Sequence, residues 1–220
     1  MLSLKKLFPS RTAHRAHYYS LGQPGPRIRH VWLCLHGHQQ PVQALAAQLV
    51  NLDTPERLLI LPQALAPDSA AVDQALWFRP GSLGPDLALV RAYLDELVTS
   101  VLVECPAGTP LTVLGYGEGA AAAVTWLAGN RFPYERLLLY AAVFPPQLSR
   151  TRLFADLPRS PVVVIATSAA EFTPEAHGEG LLLDLRAAGL PVRLSQVESG
   201  PLTLAALGAG RESGGLRTSL

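Results

Sequence analysis

The sequence predicts an α/β fold with a mostly parallel central sheet, helices on both faces and an antiparallel hairpin at the N-terminus. Three observations carry this. After the first thirty residues, short apolar runs alternate with stretches of helical spacing, the pattern of successive βαβ units. The apolar runs are continuous, as strands buried on both faces require. Several of them end in Gly or Pro, which marks a loop at the strand's carboxyl end.

The elements follow in order. "AHRAHYYSLGQPGPRIRHVWLCLHG" predicts the hairpin: a strand around Tyr18 and Tyr19, a turn from Gly22 to Pro26, and the return into the first parallel strand, "HVWLCLHG". His14 and His17, alternating about Arg15, are expected to face solvent. "PVQALAAQLVN" has helical spacing, with Pro41 at the start, where a helix needs no N–H. "RLLILPQAL" is the next buried strand. "APDSAAVDQALWFRPGSLGP", rich in Ala, Pro, Gly and Asp, is expected to be a long loop covering or serving a site. From Asp86 onward, Leu87, Val90, Leu94, Leu97, Val98 and Val101 share one face of an amphipathic helix. "PLTVLGYG" is a strand, "EGAAAAVTWLAGN" a helix of small residues, and "ERLLLYAAVFPP" and "SPVVVIATSA" are further strands. "EAHGEGLLLDLRAAG" is a helix closed by Gly189, and "PVRLSQVES" is the last strand.

Composition bounds the function. With 220 residues, 49% hydrophobic and 16% charged, the chain can bury one continuous core. An N-terminal arm (1–12), one domain (13–208) and a loose C-terminal tail (209–220) are expected. Lys+Arg 18 against Asp+Glu 17 is too balanced for electrostatic capture of nucleic acid. No apolar run is long enough to span a membrane. "MLSLKKLFPS" lacks the apolar stretch of a secretory signal, so a cytoplasmic location is expected. The two cysteines, Cys34 and Cys105, lack metal-ligand spacing, and Cys34 is read as a small core hydrophobe. His36 and His38 flank Gly37 without a third ligand, so no metal and no cofactor are expected.

"LTVLGYGEGA", Leu111 to Ala120, is the informative stretch. A strand that turns sharply into a helix with glycines on either side of the apex is the pattern that presents a catalytic serine. Here the apex is Gly117, between Gly115 and Gly119. With "LHGHQQPVQALAAQL", "LILPQA" followed by "LWF", and "LTVLGYGEGAAAAVTWLAG", the sequence resembles the phospholipase/carboxylesterase-like branch of the α/β-hydrolases from about Tyr18 to Leu204.

The resemblance implies an α/β-hydrolase fold and places the family's nucleophile on Gly117, its acid on Ala170 and its histidine on Pro201. None of these side chains can perform its role in acyl transfer. It further implies a vestigial oxyanion hole at His38 and Glu118. His36 supports that loop by hydrogen bonding and Gly37 shapes it. Glu118 is read as a solvated or capping carboxylate, the alternative being a carboxylate base partnered by Glu171. Trp77, Phe78, Tyr116 and Ser168 are candidates for a pocket. Thr167, Cys34 and Ser199 lie near predicted strand ends as conceivable nucleophiles. His177 is read as a surface residue, and Trp32 and Trp126 as core or pocket wall.

The expectation is therefore a catalytically inactive hydrolase-fold protein that binds a small acyl-like or apolar ligand, a protein partner or a second copy of itself. One alternative is an active carboxylesterase or phospholipase-like hydrolase with a remodelled, serine-independent site. The other is a structural partner of an active paralogue.

Overall fold

A computed structural model describes residues 2–6, 16–67, 75–128, 132–167 and 179–197. The strands are β1 (Ser3–Lys6), β2 (His17–Leu21), β3 (His30–Leu35), β4 (Arg57–Pro62), β5 (Ala66–Pro67), β6 (Ala75–Leu76), β7 (Leu111–Tyr116), β8 (Arg136–Tyr140), β9 (Val162–Thr167) and β10 (Val192–Val197). The α-helices are α1 (Val42–Gln48), α2 (Leu83–Leu102), α3 (Gly119–Leu127), α4 (Arg150–Ala155) and α5 (Glu179–Ala187).

Eight strands form one sheet in the order β1-β2-β4-β3-β7-β8-β9-β10. Every pairing from β4 to β10 is parallel, while β1–β2 and β2–β4 are antiparallel. The strands with continuous apolar runs take the centre. On β3, Val31, Leu33 and Leu35 face one side and Trp32 and Cys34 the other, and all five are almost fully buried. The first side is covered by α2, through Val90, Tyr93, Leu94, Leu97, Val98 and Val101, and by α3. The second is covered by α1, through Val42, Leu45 and Ala46. Each face thus loses its apolar surface to water-free packing, the dominant stabilising term for such a domain.

Four parts of the chain differ from the sequence-based expectation. The strand around Tyr18 and Tyr19 does not return into β3; it pairs antiparallel with β4, Tyr18 opposite Pro62 and Leu21 opposite Leu59, and with β1 on its outer side. The reason is that β3 already has parallel neighbours on both edges, β4 and β7, leaving no free edge for β2. Ser3–Lys6, within the expected arm, is the outermost strand.

The stretch expected as one long loop holds the short antiparallel ribbon β5–β6 and the first turn of α2. Pro85 sits in that first turn, where its missing N–H has no intrahelical partner to lose. Helix α4 was not foreseen. It is only six residues long, and its start is marked by Ser149, whose Oγ accepts the Arg152 N–H at 3.4 Å.

Candidate ligand site at the strand–helix elbow

Strand β7 turns into α3 through Gly117 and Glu118, at the carboxyl edge of the parallel sheet where ligands bind in α/β folds. Gly117 has φ +54°, a left-handed conformation that glycine holds without steric cost. It is clamped from both sides: its N–H donates to the Tyr140 carbonyl at 2.9 Å, and its own carbonyl accepts the Val143 N–H at 3.0 Å. The helix can start this close to the sheet because Gly119 has no side chain. A Cβ there would collide with the Leu35 carbonyl oxygen and lie 2.5 Å from that of His36.

Opposite the apex runs the loop His36–Gln40. His36 is fully buried. Its Nε2 accepts the Ala64 N–H at 3.1 Å, so Nδ1 carries the proton and donates to the Gly37 carbonyl at 2.8 Å. Burial pushes its pKa down to about 4, and with both nitrogens engaged the ring is a neutral strut joining two loops. The Trp77 indole N–H donates to the His36 carbonyl at 2.8 Å, with the two rings 5.1 Å apart. Trp77 and Phe78 are buried in the core cluster behind His36. The next residues are anchored by Asp86, which accepts the Arg79 backbone N–H at 2.6 Å and the Arg79 guanidinium. Gly37 donates its N–H to Gln40 Oε1 at 2.8 Å, and a Cβ on it would meet the Tyr116 ring at 2.9 Å. Tyr116 in turn lies against Tyr140, ring centroids 4.9 Å apart.

The two expected oxyanion-hole residues meet. His38 Nδ1 and Glu118 Oε2 are 3.2 Å apart, with the imidazole 59% exposed and the carboxylate 12%. Burial raises the Glu118 pKa, while the His38 ring and the Trp77 backbone N–H hold it back by binding the ionised form. Among the described residues, only two non-glycine residues have positive φ: Gln39 at 49° and Ala141 at 45°. Both flank the elbow, Gln39 in the facing loop and Ala141 in the turn that clamps Gly117.

No protein-family model and no curated protein matches the sequence. Solved structures do match. A carboxylesterase from Mesorhizobium loti superposes with a TM-score of 0.66 at 19% identity, over 91% of this chain and 95% of that one. Esterase PE8 gives 0.66 at 19%, over 86% and 93%. A phospholipase/carboxylesterase from Dyadobacter fermentans gives 0.62 at 16%, over 91% and 96%. The chain has the α/β-hydrolase fold.

Within this hydrolase fold the described structure brings His36, Gly37, His38, Tyr116, Gly117 and Glu118 to one place. Ser168, Ala170, Glu171, His177, Ser199 and Pro201 lie outside the described residues. Cys34 is buried inside β3 with its thiol pKa pushed far up by burial, which withholds it from nucleophilic chemistry. Among the described residues no group of three or more His, Cys, Asp or Glu is placed to hold a metal ion, and no helix is long and apolar enough to cross a membrane.

Gln40 and Ala141 were missed by sequence reasoning. For Gln40 a signal existed, since an amide three residues after a loop glycine can reach back to its N–H; for Ala141 there was none. A groove of about 570 Å³ between Gly22–Ile28 and Asp53–Pro55 lies at the other edge, by the amino ends of β3 and β4, and shares no lining residue with the elbow.

Proposed function

We propose that this chain is a hydrolase-fold protein without a nucleophile at its elbow: it forms no acyl-enzyme and uses the elbow end of its sheet to bind a small carbonyl-bearing or apolar ligand. The observation that carries the reading is Gly117, which holds the elbow backbone with φ +54° while offering no side-chain oxygen or sulfur. The assignment of the acid and base positions to Ala170 and Pro201 points the same way. A retained binding role is supported by strain. Holding an L-residue in the left-handed region costs roughly 1–3 kcal/mol, and such residues persist where the surrounding structure enforces them, often at functional sites. The backbone N–H groups of His38 and Glu118, on the two sides of the apex, are the donors such a ligand's carbonyl oxygen would use.

Two measurements test this together. Incubation with a fluorophosphonate probe, read by intact-protein mass spectrometry, is expected to give no adduct. Methyl alkyl ketones, which present a carbonyl but no leaving group, are expected to raise the melting temperature saturably, because a ligand bound only to the native state stabilises it by about 2.7 kcal/mol at a hundred times its dissociation constant. A stoichiometric adduct on any Ser, Thr or Cys overturns the reading, as does the absence of any ketone-dependent shift.

A further inference from the structure

The vacated nucleophile position and a histidine–carboxylate pair lie side by side. Among the described residues, its chain neighbours aside, a Cβ built on Gly117 meets one atom within 4 Å, the Gly37 Cα at 3.4 Å, so those residues leave room above the apex. His38 follows Gly37 and Glu118 follows Gly117, and their side chains join across that contact at 3.2 Å. An ionised carboxylate can only accept, so Nδ1 of the imidazole donates to it, and in the neutral ring Nε2 is then the nitrogen with the lone pair. Among the described residues no group is bonded to that Nε2. The orienting carboxylate is mostly buried and further fixed by the Trp77 backbone N–H, while the imidazole reaches solvent. The arrangement is that of a base and its orienting carboxylate, and the described residues leave room beside it for water. Neither other histidine on β3 or its loop substitutes for it: His36 has both nitrogens engaged, and His30 lies at the opposite end of β3, bonded to Thr112 Oγ1 at 2.9 Å.

We propose that His38, oriented by Glu118, acts as a general base for direct attack of water on an ester carbonyl bound over Gly117. Nε2 takes one proton from the water as its oxygen bonds to the carbonyl carbon, and the carbonyl π pair moves onto oxygen. When that pair returns, the bond to the alkoxy oxygen breaks and the imidazolium gives its proton to the departing oxygen. One ester and one water yield one acid and one alcohol, with no covalent protein intermediate and no change of oxidation state. His38 is the catalytic residue and Glu118 a positioning residue. The inference rests on the reading that a carbonyl ligand occupies the elbow.

The test uses the full chain and p-nitrophenyl butyrate. Slow saturable turnover is expected, without a burst and without a mass adduct in quenched samples. His38→Gln, at an exposed position where the fold is retained, is expected to lower kcat about a hundredfold with KM unchanged, the usual weight of a general base. Added imidazole is expected to restore part of that loss, which it would not do for a structural role. Glu118→Gln is expected to lower kcat about tenfold or more with KM unchanged, and Glu118→Asp to recover part of it. Turnover by His38→Gln at the wild-type rate, or no imidazole rescue, overturns the proposal. If the methyl alkyl ketones shift the melting temperature but butyrate ester is not cleaved, the dyad fails and the ligand site stands; if they give no shift either, both fail.

Discussion

Gly119→Ala is expected to lower folding stability by about 3 kcal/mol, the upper end for overpacking a site that cannot relax, whereas Gly117→Ala two residues away loses only about 1 kcal/mol. The contrast runs against what backbone angles alone suggest. Gly117 has the unusual φ, yet among the described residues beyond its chain neighbours a methyl group there meets nothing nearer than the Gly37 Cα at 3.4 Å, so its cost is conformational. A methyl group on Gly119 strikes the carbonyl oxygens of Leu35 and His36, both on the main chain at the end of the central strand. Neither can yield without pulling β3 from β7 or lifting α3 from the sheet. Urea unfolding of the two variants measures this directly through the shift in midpoint. Equal midpoints would mean that α3 does not rest on the end of β3 as described.

Acid lability centred on His36 is the second large effect. In the folded chain its pKa is depressed from 6.5 to about 4 by burial, so the unfolded chain binds the extra proton between those values. The stabilising contribution is fully present above pH 6.5 and is lost as pH falls through 4. Its size is about 3 kcal/mol, from 1.36 kcal/mol for each unit of the shift. His36→Gln is expected to be less stable than the parent at pH 7.5, because the Gln side chain fills the site and meets Ala64 N–H and the Gly37 carbonyl less well. The gap is expected to shrink by about 3 kcal/mol at pH 4, where only the parent's unfolded chain is stabilised by binding a proton that its folded core resists. Urea titrations of both proteins at the two pH values give the difference. A gap independent of pH would show that His36 is not held neutral.

The sequence made the sheet legible because its signals are local. Runs such as "HVWLCL" and "LTVLGY" declare buried strands, and Gly115, Gly117 and Gly119 declare a tight junction before any coordinate is known. Pairing order was another matter. Nothing in "HYYSL" distinguishes β4 from β3 as its neighbour; the choice is made by β4 and β7 competing for the edges of β3. Helix α4 was hidden because six residues carry too little periodicity to register. At the site, the alignment of residues against a family pattern identified Gly117, His38 and Glu118 singly. Their junction, an imidazole meeting a carboxylate 80 positions away, is a product of the fold bringing two loops face to face. The same holds for Ala141, whose left-handed backbone follows from the double clamp on Gly117 and leaves no trace in the composition around it.

The depth of Cys34 has a practical consequence. It sits in the central strand at 0% exposure, while Cys105, the other thiol of the chain, lies in the turn after α2 at 9%. A thiol-reactive dye should consume Cys105 first, through local fraying, and reach Cys34 only when the sheet itself comes apart. The slow phase of dye uptake then works as an internal clock for whole-molecule opening, and any ligand that settles at the elbow should retard that phase in proportion to its occupancy.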